Sequence, residues 1–415
     1  MKPILVICLL LIAARWCGRF VLSRINRRYV QAHAGAVPEA FREVMDEATY
    51  AKSVSYTLAK SRLDQVDAVI DAVLLAAILV SGLLPATHGW FAREAGDSAW
   101  SMAAFLFCVG AVFSMTGLPL AWYSQFRLEQ RFGFNTTTPG LWWLDRLKGF
   151  LLAAALGYPL LVLVLKLAQW TGPAWWLWAW GSFMVFQLVM ALLAPVLILP
   201  LFNKFTPLPE GELRERLLAL AERTGFRNRG IEVMDGSRRS RHANAYFTGF
   251  GRFRKIVLFD TLVGQMAGRE IEAVLAHEIG HFKLRHIPKL LAWSAATLFG
   301  AFWIIAWLAE QNWFFQGFGF AEASPAAALL LFGLLSGLVS YWASPMVHWW
   351  SRRHEYQADA FAARSLGEAQ PLVMALRKLY EKNLDNLTPH PLYSAFYYSH
   401  PTLLEREQAL LEVLR

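Results

Sequence analysis

The sequence predicts a mainly α-helical membrane protein that crosses the bilayer seven times. A smaller helical portion with a short β-hairpin or sheet lies to one side of the spans. Three observations lead there. Of the 415 residues, 56% are hydrophobic, and they gather in runs long enough to cross hydrocarbon. Only 17% are charged, yet the net charge is +9, and Lys and Arg fall between the apolar runs rather than in one patch. That distribution suits a lipid bilayer as partner and argues against nucleic acid. Finally, the longest interval without a span, residues 203–287, alternates strand-like and helix-like patterns. Cys8, Cys17 and Cys108 form no CxxC pair and lie in or beside apolar segments, which excludes a disulfide framework and a Cys-ligated metal.

Taken in order, residues 3–14 are apolar but short for a span. Arg15 and Arg19 can snorkel and extend it to Leu22. A cleaved signal peptide is the competing reading, opposed by Arg15, Arg19, Arg24, Arg27 and Arg28, which resist export. A helical pattern over 39–62 precedes a second span at 67–84, ended by Pro85. Asp67 and Asp71 read as a helix N-terminus near the interface, favoured by the dipole. Residues 99–123 form a third span, 124–148 a charged loop, 150–167 a fourth span and 175–199 a fifth. The tryptophans at 175, 176, 178 and 180 read as an interfacial belt.

Beyond Pro207 and Pro209, residues 210–224 read as an amphipathic helix. Strands are expected at 230–235, 244–248 and 255–262, the last two joined by a Gly-rich turn at 249–254. A sixth span at 288–308 and a seventh at 326–350, kinked at Pro345, precede a soluble, mostly helical stretch at 356–415. Nearly all Lys and Arg fall on one side if the N-terminus is outside and the C-terminus inside. Two regions follow: 1–202 with spans one to five, and 203–415 with the remaining spans and the soluble segments.

Within the second region stands His277-Glu278-Ile279-Gly280-His281. On a helix the two histidines lie one turn apart on the same face, where two imidazole nitrogens can share one Zn²⁺ ion. Ile271, Val274, Leu275 and Ile279 supply the apolar spacing such a helix needs. Glu278 can take a proton from the attacking water. Two histidines do not complete a catalytic site. Glu355 and Asp359, four apart and just past the seventh span, offer two carboxylates on one face. Glu355 fits a third, anionic ligand, giving a His₂Glu set. Asp359 fits either an acceptor for the free N–H of a liganding histidine or a proton donor. His354 points about 100° away from Glu355, and His286 falls past the ligand pair at the helix end. By pattern alone His400 is an ordinary loop residue.

These residues, with Glu129-Gln130-Arg131-Phe132-Gly133-Phe134-Asn135, Pro200-Leu201-Phe202-Asn203-Lys204-Phe205, Asn244-Ala245-Tyr246-Phe247-Thr248-Gly249, Ile256-Val257-Leu258-Phe259-Asp260, Glu355-Tyr356-Gln357-Ala358-Asp359 and Ser399-His400-Pro401, occur in an order that resembles the type-1 CAAX prenyl proteases. That family comprises integral-membrane zinc metallopeptidases. The resemblance implies seven tilted helices around a water-filled chamber and a zincin-like domain reached from the cytosol. It implies one zinc per chain on His277, His281 and Glu355, with Glu278 as the base. It also implies Asn244 on the substrate backbone, His400 at the developing oxyanion, and Asp359 behind the ligands or as proton donor.

The expected activity is therefore zinc-dependent hydrolysis of extended peptides, from CAAX-type C-termini or misfolded membrane proteins. The Ala-, Leu-, Arg- and Trp-rich composition points to a bacterial cytoplasmic membrane. The competing class is a multi-pass transporter or lipid-binding protein with a structural zinc, for which Asp67 and Asp71 would matter more. The oligomeric state is not encoded in any of these patterns.

Overall fold

The structure, a computed structural model, describes residues 2–42, 45–226, 230–248 and 255–413. Among them are 6 helices long and apolar enough to cross a membrane, or up to 7 if the bent pair of Glu47–Val80 and Leu83–Ala95 is one span. Helix α1 (Pro3–Ala32) continues past Leu22 and carries Arg24, Arg27 and Arg28. Helix α2 (Glu47–Val80) is capped by Asp46, whose carboxylate accepts the Thr49 N–H at 2.8 Å. It joins the polar stretch and the second span into one rod. It stops at Val80, because Gly82 turns the chain with φ 70 before α3 (Leu83–Ala95).

Asp67 and Asp71 therefore sit inside α2 rather than at its start. Arg19 reaches them at 3.5 and 3.3 Å, and Arg15 reaches Asp71 at 3.4 Å. Pairing across α1 and α2 offsets the penalty of isolated charges near hydrocarbon.

Helix α4 (Ala99–Thr116) follows. The loop expected over 124–148 is largely helical instead. Residues Ser124–Glu129 form a π-helical stretch, and α5 (Pro139–Trp170) starts with the Thr138 hydroxyl accepting the Leu141 N–H at 3.2 Å. Arg and Lys interrupt an apolar run without opposing helix, which is why hydropathy placed the boundary too late. In α6 (Trp175–Leu193), Trp175 is buried, and Trp176 and Trp180 meet Phe299 at 5.0 and 5.4 Å. Of that cluster Trp178 alone faces outward, at 61% exposure, so the tryptophans are mainly a helix-packing face.

The second half opens with a strand that the sequence did not announce, β1 (Phe205–Pro207), followed by α7 (Glu212–Arg223) and β2 (Ile231–Met234). Then come β3 (Ala245–Thr248) and β4 (Lys255–Phe259). The turn expected at 249–254 lies outside the described residues. Spatial order is β1-β2-β4-β3. The β2–β4 pair is parallel and the others antiparallel, with Ala245 opposite Leu258. Strand β3 is thus an edge.

Helix α8 (Gly268–Lys283) packs beneath the sheet. Ile271, Val274, Leu275 and Ile279 enter one core with Ile256 and Leu258 of β4. Each of these large side chains contributes roughly 1.5–3 kcal/mol by leaving water. Helix α9 (His286–Ala309) is a span, and α10 (Pro325–Leu366) runs unbroken for 42 residues through Pro345. It carries the seventh apolar run out to Glu355 and Asp359 as one continuous helix. Helices α11 (Gln370–Asn383) and α13 (Leu403–Val413) close the core with Leu372, Leu376, Leu403 and Leu410, and α12 (Pro391–Tyr397) packs against α10. A separate apolar core joins the spans through Ile12, Leu79, Phe105, Val164, Phe302 and Leu331.

Candidate active site

Helix α8 starts where Glu270 Oε2 accepts the Ala267 N–H at 2.7 Å, and Lys378 holds the same carboxylate. The helical period then stacks His277 and His281 with Nε2 atoms 3.1 Å apart. Gly280 lets α10 come close, since a Cβ there would lie 3.0 Å from Ala358 Cα and 3.1 Å from its carbonyl oxygen. That approach delivers Glu355. Its Oε2 lies 3.4 Å from His277 Nε2 and its Oε1 3.4 Å from His281 Nε2.

These edges match the roughly 3.3 Å between tetrahedral ligands each about 2.0 Å from an ion. Glu355 Oε2 is buried and makes no hydrogen bond, a defect that a cation would repair. Among the described residues, His277, His281 and Glu355 are the one group whose donor atoms all lie within 4.8 Å. The residues present therefore fit a metal ion, with two neutral nitrogens and one anionic oxygen.

Behind this set, His277 Nδ1 donates to Asp359 Oδ1 at 2.8 Å. Asp359 is only 1% exposed. Arg406 grips it from α13, with Nη2 to Oδ1 at 2.6 Å and Nε to Oδ2 at 2.8 Å. Burial lowers the His277 pKa, but the bond to Asp359 and the nearby Glu355 carboxylate outweigh it and raise the imidazole to about 9. A metal ion competes with that proton. Nothing in the sequence marks Arg406; it follows Glu405 in an ordinary helix start and becomes visible only when α13 docks.

In front of the donors lies a cavity of about 490 Å³. Glu278, Asn244, Ala245, His400 and Arg406 line it, together with Tyr380, Asp385 and Tyr398. Burial pushes the Glu278 carboxyl up, while His277 and His281 pull it back. His400 Nε2 stands 3.5 Å from Glu355 Oε1, and its Nδ1 lies 3.0 Å from Ser399 Oγ. If Ser399 donates, the Nε2 proton points into the site. Asn244 precedes edge strand β3, and its Oδ1 accepts the Ala245 N–H at 2.8 Å. His281 and Asp359 back the cavity without lining it.

Glu129, in one of the sequence markers, ties the membrane half to the segment that leads into this strand. Its carboxylate takes the Tyr56 hydroxyl at 2.6 Å and lies 3.4 Å from His242 Nε2. His286 is not at the end of α8. That helix stops at Lys283, Arg285 turns the chain with φ 56, and His286 opens α9.

The family profile described as the CAAX prenyl protease N-terminal region with five membrane helices matches residues 26–204. The profile for peptidase family M48 matches residues 207–414. The chain is similar to CAAX prenyl protease 1 of Saccharomyces cerevisiae, with 37% identity covering 92% of this chain and 90% of that one. It is also similar to the Arabidopsis thaliana homolog, 37% identical over 90% of both chains, and to the human homolog, 32% identical over 90% of this chain and 88% of that one. The crystal structure of S. mikatae Ste24p superposes with a TM-score of 0.93 at 33% identity, covering 99% of each chain. Continuous likeness across both halves, with the His-His-Glu cluster intact, shows that this multi-pass membrane chain belongs to the type-1 CAAX prenyl proteases of peptidase family M48 and is a metallopeptidase.

Proposed function

We propose that the metal is a single zinc ion and that the enzyme cuts extended peptides at the membrane. The convergence of His277, His281 and Glu355 beside Glu278, in a cavity bordered by an edge strand, carries this reading. Two imidazoles and one carboxylate are the donor set of hydrolytic zinc enzymes. When bound, zinc would supply a Lewis acid that polarises the scissile carbonyl and acidifies water.

The chain's own groups do the rest. Glu278 takes a proton from the attacking water and returns it to the leaving amine, a role suited to a carboxyl raised by burial. His400 donates from Nε2 to the oxygen on which charge develops. Asp359 orients His277, and its place behind the cavity, gripped by Arg406, favours that role over proton donation. The substrate lies along β3, adding a strand by main-chain hydrogen bonds, with the Asn244 amide at its backbone.

Recognition through main chain accommodates both CAAX-type C-terminal segments and segments of misfolded membrane proteins. The charge bias supports an outer N-terminus and a cytosolic site, and the Ala-, Leu-, Arg- and Trp-rich composition supports a bacterial cytoplasmic membrane. The transporter reading with a structural zinc is disfavoured by the open cavity and Glu278 beside the His-His-Glu cluster.

Purified protein should contain one zinc by elemental analysis, lose peptide cleavage to a chelator and regain it with zinc. Glu278→Gln should keep the zinc and lose cleavage by a factor of about 10²–10⁴. A fully active Glu278→Gln enzyme would overturn the assignment of the base.

A further inference from the structure

The two metal-facing histidines are held differently. His277 is backed by a carboxylate. His281 turns its Nδ1 toward another imidazole, His286 Nδ1, at 2.9 Å. His286 Nε2 in turn lies 3.0 Å from Gln357 Oε1. His286 is 1% exposed, and its ring stacks on His354 at 4.0 Å with 13° between planes. The chain reaches this position through Arg285, a non-glycine residue at φ 56, a conformation that L residues adopt at an energetic cost. A strained turn that seats a buried imidazole against a metal-facing one is the observation to be explained.

We propose that His286 and Gln357 are positioning residues that fix the tautomer of His281, and with it the metal site. This rests on the His-His-Glu reading above. A pair of imidazoles meeting Nδ1 to Nδ1 holds one proton between them, so each nitrogen is either donor or acceptor. The Gln357 carbonyl oxygen only accepts, so the proton on His286 sits on Nε2. His286 Nδ1 must then accept, and His281 must donate from Nδ1. The lone pair of His281 is left on Nε2, 3.4 Å from Glu355 Oε1 and facing His277 Nε2.

Turning the amide of Gln357 reverses the whole chain and places a proton on His281 Nε2, where no cation can bind. Gln357 lies on α10 two residues from Glu355, so one helix sets both the anionic ligand and the proton pattern of the neutral one. The relay leaves the substrate cavity untouched: neither His286 nor Gln357 lines it.

Three variants read this out in the full-length protein, stripped of metal and titrated with zinc against a chromophoric chelator. His286→Phe keeps the ring and its stacking but removes both hydrogen bonds. Gln357→Leu removes the acceptor at an exposed position, and Gln357→Glu keeps an acceptor that cannot donate. His286→Phe and Gln357→Leu should bind zinc about 10–100-fold more weakly than the parent, and Gln357→Glu should restore near-parental affinity. The cobalt(II) visible spectrum should shift in the first two variants and not in the third. Equal zinc affinity in the parent and Gln357→Leu, with an unchanged cobalt spectrum, would overturn the relay. Weakening that Gln357→Glu does not rescue would overturn it too. Glu355→Gln is the control: if it also leaves zinc binding intact, the metal-site reading itself has failed, and if it alone abolishes binding, only the relay has.

Discussion

Gly280 and Ala358 meet across two helices with no room for a methyl group between them. One helix carries both histidines and the other carries the carboxylate, so this contact sets how far Glu355 stands from His277 and His281.

Gly280→Ala tests that relation. The added Cβ would fall 3.0 Å from Ala358 Cα and 3.2 Å from Phe361 Cβ, so the helices must part by a few tenths of an ångström. Overpacking of this kind costs about 1–3 kcal/mol. Metal affinity should fall about tenfold or more with the thermal midpoint a few degrees lower, measured by chelator competition and by melting in detergent. Parental affinity would show that the crossing does not place Glu355.

Removing the guanidinium from the Asp359–Arg406 pair should hurt more than removing both partners. Arg406→Met leaves a buried carboxylate with its fork unfilled and should destabilise the fold by about 3–5 kcal/mol. The double variant Asp359→Asn with Arg406→Met should recover part of that loss in a double-mutant cycle of unfolding free energies. Strictly additive losses would mean the pair is not coupled.

His400 has a side chain 62% exposed, so its loss should barely change stability. His400→Ala should lower kcat by about 10²–10³ through the missing donor, with metal content unchanged. A rise in KM at constant kcat would instead assign it to substrate binding.

Asp385 lines the cavity, and burial pushes its carboxyl up to about 6 from an ordinary 3.8. The folded state then prefers the neutral acid. Its destabilising effect is absent below about pH 4, grows between pH 4 and 6, and is full above 6, at up to about 3 kcal/mol. Asp385→Asn should therefore melt higher than the parent near pH 7.5 and show little gain near pH 3.5. A gain independent of pH would mean that the carboxyl is not held neutral.

Several features were legible in one dimension because they depend on local periodicity. Apolar runs announce spans wherever hydrocarbon needs about twenty residues. The i, i+4 spacing of His277 and His281, and of Glu355 and Asp359, fixes which side chains share a face. Strand β4 follows from a short, continuous apolar run rich in branched residues, and the amphipathic helix α7 from the 3.6-residue period. Boundaries were less legible. The π-helical Ser124–Glu129 and the early start of α5 are charged yet helical, and charge alone does not break a helix.

By itself, the sequence determined that the chain is a membrane metallopeptidase, since the local motifs name the ligand types and their order fits one family. The tertiary structure decided which groups meet over long separations. Arg406 came to Asp359, Arg19 came to Asp67 and Asp71, and Gln357 came to His286. None of these pairings has a sequence period, because each is set by how rigid helices dock once their apolar faces are buried. Buried charges and imidazoles then take whatever partner that docking brings within hydrogen-bonding distance, since an unpaired one would be too costly to keep.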